Sequence, residues 1–154
     1  MVVGLGEAGK STLIGALCER PLNLEVDGRT VAMDHGMLRH GDVALSVVGV
    51  PGQARFAAVQ VALAERAMAA IWVLRAHHDP DEQTAHLLAR LGLPYLLVIN
   101  HHDGEPERGI RIPDPLPRPA AVLRVNLRRA AAGPEIVRLR EALLALVDSG
   151  AASA

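Results

Sequence analysis

The chain has 154 residues, enough for one domain with a sizeable core. Its 16 Lys and Arg against 17 Asp and Glu leave a formal net charge of −1, which excludes the basic surplus that drives binding to nucleic acid or to anionic membranes. A single cysteine, Cys18, excludes an internal disulfide and fits a reducing cytoplasm, no apolar run is long enough for an integral membrane segment, and the first residues lack the pattern of a signal peptide.

In chain order, Met1 to Val3 is an unusually short first strand. It runs into Gly4 to Ser11, GLGEAGKS, which satisfies the phosphate-binding pattern G-x-x-x-x-G-K-[ST]. Gly4, Gly6 and Gly9 let the backbone turn tightly, so that Gly4, Gly6, Glu7, Ala8, Gly9, Lys10, Ser11 and Thr12 are the residues expected to face a phosphate. Lys10 adds charge for the β and γ phosphates, Ser11 a hydroxyl for Mg²⁺, and the helix over Ser11 to Glu19 its N-terminal dipole. Arg20 to Arg29, with Pro, Asn, Asp and Gly and no sustained period, reads as a loop leading to Thr30.

From Val31 a strand, the turn His40-Gly41-Asp42 and a strand over Val43 to Val48 form an antiparallel hairpin. Gly49-Val50-Pro51-Gly52-Gln53 reads as a mobile loop, followed by a helix over Ala54 to Ala69 and a buried strand over Ala70 to Leu74. Asp79-Pro80-Asp81-Glu82 predicts a helix start with Asp79 as N-cap and Pro80 at the first helical position, and Gly92 its end. Pro94 to Ile99 is the next buried strand. Between Gly104 and Pro119 lie five of the ten prolines, so an extended surface loop is expected, with one short turn at Glu105 to Arg108; a partner-docking segment is the alternative use. Ala121 to Val125 is the last strand and Pro134 to Val147 the last helix, with Ile136, Leu139, Leu143 and Leu146 inward; the domain spans 1–148, and Ser149 to Ala154 reads as a frayed tail. Alternating strands and helices give an α/β class: a mostly parallel sheet with an antiparallel edge strand and helices on both faces.

Asn100-His101-His102-Asp103 follows the strand that ends at Ile99 and resembles the N-x-x-D part of the guanine-recognition signature N-K-x-D of small GTPases, with His101 in place of the lysine. A carboxylate at Asp103 accepts from guanine N1–H and the 2-amino group, a donor pair that adenine lacks. The same resemblance makes Thr30, 20 residues after Lys10, the threonine that senses Mg²⁺ and the γ phosphate. It aligns Val50-Pro51-Gly52-Gln53 with D-x-x-G-Q, so that Gly52 donates to the γ phosphate and Gln53 orients the attacking water. Asn126-Leu127-Arg128 occupies the place of the loop behind the guanine ring. Gly49 stands where Ras-like proteins carry the Mg²⁺-holding Asp, and Asp34 is the candidate substitute, acting through water.

TVAMDHG (Thr30 to Gly36), GVPGQARF (Gly49 to Phe56) and NHHDG (Asn100 to Gly104) resemble the bacterial conservon-type (CvnD-like) small GTPases, with a further similarity to MglA-type GTPases around VPGQ. The resemblance implies a P-loop GTPase fold and a guanine-nucleotide switch using GTP, GDP and Mg²⁺. It also implies slow or partner-dependent hydrolysis with Gln53, Lys10 and Thr30 as the catalytic set, a roadblock/LC7-type partner, and signalling from a membrane sensor. A non-hydrolysing scaffold and an ATP-dependent kinase stand as alternatives. Arg39 and Arg55 are the nearest candidates for a transition-state arginine, and the repeated His-His-Asp at His77 to Asp79 and His101 to Asp103 is a candidate transition-metal site beside the capping and guanine roles of its aspartates.

Overall fold

The computed structural model describes residues 1–19, 21–26, 29–51, 57–106, 108–129 and 133–151, and for 21–26, 29–33, 57–59, 150 and 151 the backbone alone. The centre is a four-stranded parallel sheet in the order β1 (Val2–Val3), β5 (Ala70–Arg75), β6 (Tyr95–Asn100), β7 (Ala121–Val125). β5 is buried from Ala70 to Leu74 and β6 along its whole length, as strands covered on both faces must be. Alternate residues part to opposite faces. Ile71, Val73, Leu96 and Val98 join Leu13, Ile14 and Leu17 of α1 (Lys10–Leu17) and Leu139 and Leu143 of α4 (Pro134–Ala151). Trp72, Leu74, Tyr95, Leu97 and Ile99 pack instead with Ala85 and Leu88 of α3 (Glu82–Leu91), with Leu63 of α2 (Ala57–Ala64) against them.

The antiparallel edge is larger than one strand. β2 (Pro21–Val26), β3 (Arg29–His40) and β4 (Val43–Val48) form a three-stranded sheet. It joins the parallel one where Gly49 bridges Val2 and Val50 N donates to Val2 O at 2.8 Å. β2 corrects the expectation of a loop over Arg20 to Arg29. Leu22, Leu24 and Val26 do alternate at strand period, and a proline is tolerated as the first residue of an edge strand, where no ladder partner needs its missing N–H. Gly41, at φ 55, supplies the two-residue turn between β3 and β4.

The cap of α3 is also corrected, from Asp79 to Asp81, whose side chain accepts from Thr84 N at 2.7 Å. The capping chemistry is as expected but lies two residues on, with Pro80 outside the helix; Asp79 instead pairs with Arg108 at 3.0 Å. Residues 108–119 carry no helix or strand. They strap the α3 face of the sheet with Ile110, Ile112 and Leu116, held by Tyr95 Oη donating to Pro117 O at 2.7 Å. α4 runs to Ala151, into the stretch read as a tail.

Candidate functional site

The phosphate loop owes its shape to what presses on it. Gly4 has φ 137, and a Cβ there would lie 2.3 Å from Val73 O, so only glycine lets β1 turn away this close to β5. Gly9, the N-cap of α1 at φ 105, is closed in by the Asn100 amide and by Leu127, either of which a Cβ would meet within 2.9 Å. Asn100, 7% exposed, donates from Nδ2 to Ala8 O at 3.0 Å and accepts from Leu127 N at 3.4 Å. The Asn of the N-x-x-D motif thus clasps the phosphate loop to the Asn126-Leu127 loop.

Lys10 arches over the loop and donates to Gly4 O at 2.9 Å and Leu5 O at 2.7 Å. Burial lowers its pKa, opposed by the charges of Asp34 and Asp81. Ser11 and Thr12 are exposed in the first turn of α1, open to a ligand. Ser11 Oγ donates to Asp34 Oδ2 at 2.5 Å, a charge-assisted bond across to β3. Beside it lies Gly49, where a Cβ would sit 3.3 Å from both the Cβ and the backbone O of Asp34, and 2.9 Å from Ile14 Cδ1. A side chain at position 49 would press on the backbone and Cβ of Asp34 and on Ile14. The carboxylate beside Ser11 therefore comes from β3, and position 49 carries none. A hydroxyl beside a carboxylate is a hard-oxygen donor pair suited to Mg²⁺.

Thr30 is placed elsewhere. Its backbone pairs with Glu25 in the β2–β3 ladder, four residues along β3 from Asp34 and so roughly 13 Å away. Gly52, Gln53 and Arg55 lie outside the described residues. Pro51, just before them, is anchored by buried Gln60, whose Nε2 donates to its carbonyl at 2.6 Å. Gln60 escaped sequence reasoning; a lone amide inside the apolar run of α2 was its only signal. Arg39 is exposed five residues along β3 from Asp34, next to the hairpin turn and roughly 16 Å from Ser11's partner, which removes it as an arginine for the phosphate.

At the other end, His101, Asp103, Asn126, Arg129, Gly133, Pro134 and Glu135 line a cavity of about 260 Å³. Asp103 accepts from Asn126 Nδ2 at 3.1 Å and pairs with Arg129 at 2.7 Å. Glu135, in the first turn of α4, accepts from Asn126 N at 2.8 Å, with His101 Nε2 at 4.0 Å from its other oxygen. Glu135 and Arg129 were not singled out from the sequence. The two His-His-Asp triplets do follow adjacent strands, yet they meet through Glu105. His77 lies 3.5 Å and His102 3.9 Å from its Oε1, while His101 turns to Glu135. A hydrogen bond from His102 N, and then the two imidazoles, lower the Glu105 pKa. Among the described residues no three His, Cys, Asp or Glu side chains are grouped to hold a metal, and no helix is long and apolar enough to cross a membrane.

Comparison with known proteins fits this arrangement. The chain is 32% identical over 106 residues to an uncharacterized protein of Methanocaldococcus jannaschii, covering 67% of this chain and 69% of that one. Its fold is similar to the G domain of the T. maritima FeoB iron transporter, with a TM-score of 0.66 at 17% identity over 94% of this chain and 95% of that one. It is also similar to the translation elongation factor SelB of Methanococcus maripaludis, solved with the GTP analogue GPPNHP, with a TM-score of 0.65 at 17% identity over 96% of this chain and 33% of that one. Residues 1–101 match the family model described as 50S ribosome-binding GTPase, and the chain belongs to that GTPase family.

Proposed function

We propose that the chain is a guanine-nucleotide switch that binds GTP and GDP with Mg²⁺ and hydrolyses GTP slowly. The observation that best supports this reading is the Asn100 clasp, which ties the phosphate loop to the Asn126-Leu127 loop beside the Asp103 cavity. On GTP binding, Lys10 exchanges the carbonyls of Gly4 and Leu5 for phosphate oxygens, and the loop amides hold the charge that develops on the transferred phosphoryl group. Ser11 directly, and Asp34 through water, would hold the Mg²⁺, which when bound neutralises phosphate charge. Gln53 orients the attacking water and Gly52 donates to the γ phosphate. Thr30 reaches the nucleotide only if β3 gives up its pairs with Glu25 and Val26, so the switch is the β2–β3 hairpin end. The loss of the usual Asp at Gly49 and the VPGQ and TVAMDHG segments favour the conservon-type class, with a roadblock/LC7-type partner that recruits this cytoplasmic protein to a membrane sensor.

The test is binding by purified protein of GDP, GTP and ATP with Mg²⁺, followed by phosphate release with and without a roadblock-type protein. Ligand at 100 times its Kd adds about 2.7 kcal/mol of stability. Guanine-selective stabilisation and slow phosphate release are expected, and Asp103→Asn should move preference from guanine to xanthine, whose C2 carbonyl needs a donor. Selectivity for ATP would instead make it a kinase, and no stabilisation by any nucleotide a scaffold.

A further inference from the structure

Asp103, the carboxylate that would read the guanine edge, is engaged on both oxygens. Oδ1 accepts from Asn126 Nδ2 at 3.1 Å, and Oδ2 lies 2.7 Å from Arg129 Nη2. The two partners differ in kind. Asn126 is 5% exposed and tied at further atoms, its N to Glu135 and its Oδ1 to Arg128 N at 3.2 Å, so its amide is part of the pocket wall. Arg129 follows in the turn that Arg129 N closes on Asn126 O at 3.0 Å, and its long side chain is 74% exposed and able to swing.

A guanidinium presents adjacent N–H donors in a planar fork that matches a carboxylate. The N1–H and 2-amino group of guanine form a similar fork, and Arg129 Nη2 already occupies Oδ2, one of the two acceptor oxygens that fork would use. The geometry points to Arg129 as an intramolecular stand-in for the base: it competes with guanine for Asp103, so that entry of a guanine nucleotide breaks the ion pair and re-formation of the pair helps to expel it. This rests on the guanine reading above and adds to it a residue that sets base affinity from within the chain. Adenine, which offers no such fork, does not displace Arg129, so the competition weighs on guanine alone.

The pair is solvent-exposed, and exposed pairs are weak, so Arg129→Ala should tighten GDP binding roughly 1.5- to fivefold at low salt. The gain should vanish near 1 M salt, where charges are screened within about 3 Å. The sign is diagnostic, because removing a cation near a polyanionic ligand otherwise weakens binding. Calorimetric titration of wild type, R129A and R129K with GDP and ADP at low and high salt decides the matter. Tighter GDP binding by R129A, with ADP unaffected, is expected, and R129K, which keeps the charge without the fork, should fall between. Unchanged or weaker GDP binding by R129A overturns the competition while wild-type GDP binding keeps the guanine reading intact. Absence of GDP binding by wild type and variant alike sinks both.

Discussion

Replacing Asp34 with Ala tests whether the carboxylate from β3 has taken over the work of the missing Asp at position 49. Without nucleotide the change should be mild. The Ser11–Asp34 bond is open to solvent, Ser11 can turn to water, and the loss in stability should stay below about 1 kcal/mol. Nucleotide binding should respond far more. Removing a group that holds a metal through water lowers metal affinity about 10- to 100-fold, or about 1.4 to 2.7 kcal/mol. The assay is GTP affinity measured across a Mg²⁺ titration, with a thermal melt of the free protein as control. The rescue is specific to this geometry. Gly49→Asp added to D34A supplies a carboxylate from the neighbouring position; its Cβ meets the movable end of Ile14 at 2.9 Å and the retained Cβ and backbone O of residue 34 at 3.3 Å, and it should recover part of the Mg²⁺ dependence. Gly49→Asp alone crowds Asp34 and should destabilise by about 1–3 kcal/mol. Should D34A bind GTP with unaltered Mg²⁺ dependence, or G49D fail to rescue it, the exchange of roles between the two positions is refuted.

Asn100→Ala removes the partner of buried Ala8 O and of Leu127 N, and should cost about 1–3 kcal/mol in urea unfolding while weakening nucleotide binding. Tyr95 has its pKa pushed up to about 12 by burial. The neutral phenol therefore contributes stability that is complete below its unfolded pKa near 10 and lost as pH rises from there towards 12, so Tyr95→Phe should flatten the alkaline limb of a stability–pH curve. At neutral pH the same change removes the bond to Pro117 and should lower stability by about 1 kcal/mol in a denaturant melt. Hydrogen exchange at the amides of β2 and the start of β3 should quicken when a GTP analogue replaces GDP; equal protection in both states would count against the hairpin as the switch.

What could be read from the sequence follows from how local each determinant is. The phosphate loop, β5, β6 and β7 are written in contiguous residues: a glycine pattern, or an apolar run long enough for a strand and too short for anything else. β2 was hidden because its alternation is brief and its Pro and Asn weigh toward a turn until the neighbouring strand supplies a ladder. The cap of α3 was misplaced because Asp79 and Asp81 carry the same chemistry, and only the backbone path decides which one faces the helix end. The cavity at Asp103 was half legible. Asn100, Asp103 and Asn126 are motif residues, whereas Glu135 and Arg129 matter through contacts with residues up to 34 positions away, which no local pattern records.

The placement of Asp34 changes what loss of the metal would mean. Where the metal-holding carboxylate sits at the end of a central strand, metal retention and the motion of a sensing segment are separate events. Here Asp34 and Thr30 ride on one continuous strand, β3, four residues apart. On the proposed reading, chelation and hydrolysis would pull on the same piece of backbone, and divalent-ion concentration would become an input to the conformation of the hairpin alongside the nucleotide.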